Sequence, residues 1–238
     1  MSKTITIDGK DVPFQDGQTI MEAATAANVY IPHLCHKPGY EPHGSCKLCT
    51  VNVNGRNCTA CTFPAMEGQL VINASTELSD DRKKIIQMLF VEGNHFCPSC
   101  EKTGNCQLQA VAYHLNMLDN HYPHFFAKRE MDASHPDLLI DHDRCIFCSL
   151  CVRASQEVDG KNVFAISGRG INKRLIVNSK SGSLKDSEID VNDCAAHICP
   201  TGAILIKRTG YEVPIGQRVY DHKQVDEVAL EQEQGTDG

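Results

Sequence analysis

The sequence predicts an α+β protein assembled from small modules, and three observations predict it. Residues at the N-terminus read strand, strand, helix, then strands; short helical patterns follow; a second run of short mixed elements comes after them. Hydrophobic residues make up only 41% of the 238 residues, aromatics 6%, and tryptophan is absent. Cores that thin need a covalent or metal staple, and thirteen cysteines are the material for one.

Residues 1–78 form the first module. Ile5 and Ile7 alternate with Thr6, and Asp8-Gly9 turns the chain toward Val12-Pro13-Phe14, a hairpin signal. Asp16-Gly17-Gln18-Thr19 supplies a loop and a cap ahead of the alanine-rich helical run Ile20 to Asn28. Val51 and Val53 alternate with Asn52, Asn54-Gly55 offers a second hairpin turn, and Leu70-Val71-Ile72 closes the module. That is the order of a β-grasp fold, with a long cysteine-bearing loop after its helix.

Residues 79–120 are expected to be helical. Ser79 is placed to cap a helix running to Glu92, with Asp80 and Asp81 at its positive end and Ile85, Ile86, Leu89 and Phe90 on one face. Gly93-Asn94 ends it, and a second helix is expected from Cys106 to about Leu118. Within the third module, residues 121–210, the stretch to Asp143 is rich in His, Pro and Asp and reads as a loop or linker. From Arg144 to about Lys207 the pattern is α+β again. The tail, residues 211–238, is polar and acidic, with Glu227, Glu231, Glu233 and Asp237, and is expected to be mobile or a docking arm.

A formal charge of −7 argues against nucleic acid as a partner. No run of 18 apolar residues exists, so no membrane span is expected. Met1 to Asp8 reads as a strand without the apolar stretch of a signal peptide, which places the chain in the cytoplasm. Thiols stay reduced there, and an odd cysteine count leaves one over in any all-disulfide scheme. The cysteines are therefore metal ligands.

They fall into three groups. Cys35, Cys46 and Cys49 lie in one loop, and Cys61 or Cys58 supplies a fourth thiolate; taken with Cys61 the spacing is C-x10-C-x2-C-x11-C. A 2Fe–2S cluster needs four thiolates in this loop-plus-distant-partner arrangement. If residues 56–62 form a return strand, Cys58 and Cys61 face opposite ways, and only one is a ligand. His33, His36 and His43 share the loop but are surplus, and read as surface or supporting residues.

The second group is His95, Cys97, Cys100 and Cys106. Three thiolates are one short of a closed 4Fe–4S site, and His95 can complete it as a neutral imidazole, leaving the cluster less negative and its potential higher. A zinc site uses the same ligand set and is the competing reading.

The third group is the run Cys145, Cys148, Cys151 with Cys199-Pro200 downstream. In bacterial ferredoxins the run C-x2-C-x2-C-x3-C-P shares its fourth cysteine with a second cluster. Here Ser155 occupies that fourth place, and the partners counted back from Cys199 would be Ala195, Asn192 and Ile189. One 4Fe–4S cluster on Cys145, Cys148, Cys151 and Cys199 follows, with Cys194 left as a buried free thiol.

The order of these sites resembles the N-terminal part of the large iron–sulfur subunit of respiratory complex I and of iron-only hydrogenases. It is most similar to the small diaphorase subunit of cytoplasmic NAD-reducing nickel–iron hydrogenases. The segments that carry the resemblance are Ala60-Cys61-Thr62, Glu92 to His95, Cys97 to Lys102, Cys106 to Val111, Arg144 to Cys148 and Ile198-Cys199-Pro200. One residue separates His95 from Cys97 where complex I has three, and the large domain that follows in complex I is missing.

The resemblance implies Cys61 as the fourth ligand of the first site, and one 2Fe–2S and two 4Fe–4S clusters in all. It implies no substrate site on this chain. FMN and NAD belong to a flavoprotein partner, and nickel and iron to the small and large hydrogenase subunits, with electrons conducted between the two. A relay subunit of another NAD-linked complex, complex I-like or a formate dehydrogenase, is the alternative, and a zinc-stapled interaction module a more distant one. Gly168-Arg169-Gly170 is too short for a dinucleotide fingerprint and reads as a hairpin turn.

Overall fold

The computed structural model describes residues 3–125 and 129–234. Strands β1 (Lys3–Ile7) and β2 (Lys10–Phe14) form the expected hairpin. Asp8 and Gly9 both take positive φ, 49° and 82°, the primed turn whose twist matches the flanking strands. Helix α1 (Ile20–Ala26) starts at a reciprocal cap: the Thr19 hydroxyl accepts from the Glu22 amide, and the Glu22 carboxylate accepts from the Thr19 amide. Strands β3 (Thr50–Val53) and β4 (Arg56–Thr59) turn at Asn54-Gly55, again with both φ positive. Strand β5 (Leu70–Ile72) lies parallel to β1, giving the sheet order β2-β1-β5-β3-β4. Ile20, Met21, Ala23 and Ala24 of α1 close the core over Ile5, Ile7, Val51 and Val71. This is the β-grasp arrangement.

The return strand ends earlier than expected. β4 stops at Thr59, whose carbonyl accepts from the amides of Thr62 and Phe63, so Cys61 sits on a turn and strand alternation does not govern it.

Helix α2 spans Thr76–Glu92, one turn earlier than predicted. Ser75, not Ser79, is its cap: the Ser75 hydroxyl accepts from the Leu78 amide, while Ser79 donates to the Ser75 carbonyl from inside the helix. The Asp8 carboxylate fixes the approach by accepting from the Asn73 and Ala74 amides. A division between residues 78 and 79 thus falls inside α2. Helix α3 (Gln107–His114) is shorter than the expected run to Leu118, because Asn116 turns left-handed at φ 53°.

The stretch read as a linker contains a central strand. β7 (Leu138–Asp141) lies between β6 (Met131–Asp132) and β10 (Ile204–Ile206), antiparallel to both. Its apolar Leu138-Leu139-Ile140 core is only three residues long amid His, Pro and Asp, too short to carry a pattern. After helix α4 (Leu150–Arg153) comes one wide turn, then the hairpin β8 (Phe164–Ser167) and β9 (Arg174–Val177), with Gly168 to Lys173 as its loop. Helix α5 (Cys194–His197) leads to Cys199.

The tail is folded, against expectation, as far as it is described. Helix α6 (Val225–Gln234) buries Val225, Val228 and Ala229, an i, i+3, i+4 face obscured in the sequence by its acidic neighbours. Ahead of it, residues 211–224 strap across the loop of the second cysteine group: the Tyr220 amide donates to the Gly104 carbonyl, and the Val219 amide to the Asn105 side chain. Asp237 lies outside the described residues. One core joins every module: Leu34 and Leu48 from the first, Ile86 and Val111 from the second, Ile146 and Leu150 from the third, with Val225 from the tail. Among the described residues no helix is long and apolar enough to cross a membrane.

Candidate metal centres

The loop between α1 and β3 delivers Cys35, Cys46 and Cys49, and the turn after β4 delivers Cys61. Cys35, Cys49 and Cys61 are at most 1% exposed. The four thiols are linked in a row, Cys46 to Cys35 to Cys61 to Cys49. The Cys46 amide lies 3.5 Å from Cys35 Sγ, and Cys49 Sγ lies 3.4 Å from Cys61 Sγ. Four thiols held this closely supply the four donors that a two-iron cluster needs. Hydrogen bonds from the Cys46 and Cys61 thiols hold the Cys35 thiol far below its usual range, and sharing the proton with Cys35 pushes Cys46 and Cys61 up. Such a crowd of thiols sheds its protons fully only against metal cations. Gly44, at φ 63°, lets the loop pass the Cys61 turn: a Cβ there would lie 3.1 Å from Thr62 Cγ2. Cys58, opposite Val51 on the sheet, is half-buried against the core.

At the end of α2, the Asn94 amide donates to the Asp143 carbonyl at 2.8 Å and turns His95 inward. The His95 ring packs beside Phe90, and its Nε2 is buried without a hydrogen-bond partner. Burial, then the charges of Arg144 and Arg129, push its pKa down to about 4, so the imidazole is neutral. A neutral, buried, unsatisfied ring nitrogen is what a metal ligand requires. Cys97 opens a single tight turn, Cys97–Ser99. Cys106 immediately precedes α3, and burial pushes its thiol up to about 12, with the Cys100 and Cys97 sulfurs adding to the effect. Cys100 and Cys97 thus sit close enough to act on Cys106.

Cys145, Cys148, Cys151 and Cys199 line one enclosed pocket, walled by Ile166 and Leu175. Phe147 and Ser149 take left-handed φ of 53° and 62°, which aims the amides of Phe147 and Leu150 at the Cys145 and Cys148 sulfurs. Burial raises Cys145 to about 12 and pushes Cys148 and Cys151 up as well. Ser155 is no ligand here: its hydroxyl accepts from the Val163 amide at 2.7 Å. Ala195 and Ile189 are core residues. Cys194, expected to be buried, is half-buried at the α5 N-terminus, where the Asp159 carboxylate accepts from the Cys194 and Ala195 amides, and its sulfur meets the Tyr40 hydroxyl at 2.9 Å.

The structure gathers Cys35, Cys46, Cys49 and Cys61 in one place and Cys145, Cys148, Cys151 and Cys199 around one pocket, and it sets Cys97, Cys100 and Cys106 near one another with His95 on the loop just before them. Among the described residues no three Cys, His, Asp or Glu donors converge as a single ion would require. His33 and His36, expected at the surface or in support, are buried in a T-shaped contact with centroids 5.5 Å apart, while His43 is exposed. Helix α6 covers that pair, and its apolar face was the signal for it. The sequence reading also passed over two buried arginines, Arg82 and Arg153. Arg82 stands on the apolar stripe Leu78–Ile86, four residues from each, which marks it as a charge aimed inward.

Three family models match in the order of the three groups. They are a 2Fe-2S iron-sulfur cluster binding domain at residues 2–76, an NADH-ubiquinone oxidoreductase-G iron-sulfur binding region at 82–121, and a 4Fe-4S single cluster domain at 138–206. The NAD-reducing hydrogenase HoxS subunit gamma of Cupriavidus necator is 42% identical over 98% of this chain and 99% of its own length. The chain belongs to that hydrogenase subunit family. A crystal structure of NAD+-reducing [NiFe]-hydrogenase in the H2-reduced state holds a chain 48% identical, with a TM-score of 0.94 over 98% of this chain and 99% of that one. The mitochondrial NADH-ubiquinone oxidoreductase 78 kDa subunit of Candida albicans is 28% identical over 85% of this chain, which spans 28% of that subunit. The chain is thus an iron–sulfur electron-transfer subunit of an NAD-reducing hydrogenase, an oxidoreductase complex, and is related to the N-terminal part of a complex I subunit.

Proposed function

We propose that Cys35, Cys46, Cys49 and Cys61 hold a 2Fe–2S cluster, that His95, Cys97, Cys100 and Cys106 hold a 4Fe–4S cluster, and that Cys145, Cys148, Cys151 and Cys199 hold a second 4Fe–4S cluster. The chain up to the Ser75 cap, the stretch from α2 to residue 120, and residues 121–210 act as the three cluster modules, with residues 211–234 as a strap. When bound, such clusters take up and release single electrons, which is the chemistry that electron relay needs.

The chain's own residues bury the donors, keep His95 neutral, aim amides at the thiolates and exclude water, all of which tune potentials. What supports the reading most is that Cys145, Cys148, Cys151 and Cys199 line one pocket and Cys35, Cys46, Cys49 and Cys61 interact in one place, in the same chain order as the matched 2Fe-2S and 4Fe-4S domains. The relay connects a flavoprotein subunit that binds FMN and NAD with the nickel–iron hydrogenase dimer, in the cytoplasm.

Two tests separate its parts. Cys61→Ser abolishes the 2Fe–2S electron paramagnetic resonance signal of the reduced chain and Cys58→Ser leaves it intact; the reverse outcome refutes the first ligand set. Affinity capture of the chain from its native cell extract brings down nickel and FMN; capture without nickel refutes the hydrogenase partnership.

A further inference from the structure

Arg153 and Arg82 are 8% and 5% exposed, yet every hydrogen bond they donate ends on a neutral oxygen. The arginine ion pairs among the described residues belong to Arg129, Arg144, Arg208 and Arg218. A buried cation without a counter-ion is strongly disfavoured, and carbonyl partners alone do not offset its desolvation. The acidic groups that act on Arg82 are the Cys49 thiol first, then the Asp8 carboxylate and Tyr30. Among the described residues no ion pair serves Arg153, so negative charge at the cysteine loops is what both guanidinium groups call for.

Their carbonyl partners show where it lies. Arg82, on α2, donates to the carbonyls of Leu48 at 3.0 Å and Thr50 at 2.9 Å, the two residues that flank Cys49. Its other bonds reach the Asn73 carbonyl and side chain. Arg153, at the end of α4, donates to the Cys35 carbonyl and to the Glu41 carbonyl, both at 2.6 Å. Its Nε reaches the Ser149 carbonyl at 3.4 Å, between Cys148 and Cys151. Each arginine comes from a different module, and both close on the loop of the first cysteine group. Arg153 also holds that loop to the loop of the third group.

We infer that Arg82 and Arg153 are positioning residues whose fixed charges are the counter-ions of the cluster thiolates. Arg82 serves the first cluster; Arg153 serves the first and the third together and keeps their loops in register. The inference rests on the ligand sets proposed above. A fixed positive charge favours the reduced, more negative form of a cluster, so both residues raise the potentials they act on.

The test is a potentiometric titration of the full chain, loaded anaerobically and followed by electron paramagnetic resonance. Iron analysis of the unsubstituted chain checks the ligand sets on its own. With that satisfied, Arg153→Met lowers the midpoints of the first and third clusters, each by at least tenfold in the reduction equilibrium, about 59 mV for one electron. Arg82→Met lowers that of the first alone. Arg153→Lys, which keeps the charge and loses the guanidinium fork, restores most of the potential. Unmoved midpoints in loaded Arg153→Met overturn the inference, as does Arg153→Lys behaving like Arg153→Met. If Arg153→Met fails to load, Arg153→Lys decides: loading with near-native midpoints supports the charge role, and failure to load overturns it.

Discussion

His95 shows how one residue sets the chemistry of a site. Its ring nitrogen is buried and unpartnered, and the ring is kept neutral by burial and two nearby arginines. Replacing it with a thiolate adds a negative charge at the same position. His95→Cys is therefore expected to retain the second cluster and lower its potential by tenfold or more in the reduction equilibrium, about 59 mV. Redox titration checks this, and an unchanged or higher potential contradicts the ligand assignment. Gly93 makes the pocket possible, since a Cβ there would lie 2.3 Å from the Asp143 carbonyl and 2.8 Å from His95 Nε2. Gly93→Ala is expected to displace His95 at a cost of about 1–3 kcal/mol. Iron analysis should then find the second cluster depleted while the 2Fe–2S signal survives. At this scale the sequence was informative where spacing defines the chemistry, as in Cys145 to Cys151. It passed over Arg82 and Arg153 and left His33 and His36 as surface or supporting residues, because their burial is created by contacts between modules.

Elements were legible where local chemistry dictates them. The turns Asp8-Gly9 and Asn54-Gly55 and the Thr19 cap were readable because each is decided by two to four neighbouring residues. Thr19→Ala should cost about 1 kcal/mol, measurable as a lower midpoint in thermal unfolding of the loaded chain. Ser79 misled because Ser75-Thr76-Glu77 offers an equally good cap one turn earlier, and the Asp8 carboxylate decides between them from across the module. β7 was missed because its pairing with β10 joins residues more than sixty positions apart. The tail was misread through its charge, although α6 docks on three small apolar side chains. Val228→Asp buries a carboxylate at that seam and should weaken docking by about 1–3 kcal/mol. Hydrogen exchange at residues 225–232 reports it: protection is lost there while the β-grasp sheet keeps its own.

For the whole molecule, the first and third cysteine sets are built into the cores, while of the second only Cys106 packs against one. Cys49 and Cys61 belong to the first core, Cys145 and Cys151 to that of the third module, and Cys35 and Cys148 to the core that joins all modules. Without metal, each core would gather mutually repelling or protonated thiols at its centre. Cluster binding is therefore coupled to folding, as in small zinc domains. Iron-free chain should be largely unfolded, and a native-like circular dichroism spectrum from such material would contradict this coupling. The same seams explain why three modules behave as one conductor: Gln107 donates to the His33 carbonyl, Arg153 to the Cys35 carbonyl, and the Gln107 amide to the Pro200 carbonyl, so each ligand loop is tied to another.

Beneath all of this stands the assignment of eleven thiolates and one imidazole to three clusters. Iron and acid-labile sulfide analysis of the pure, anaerobically handled chain tests it most directly. The expected result is about ten irons and about ten sulfides per polypeptide, two plus four plus four. About two irons, or zinc in place of iron, would contradict it.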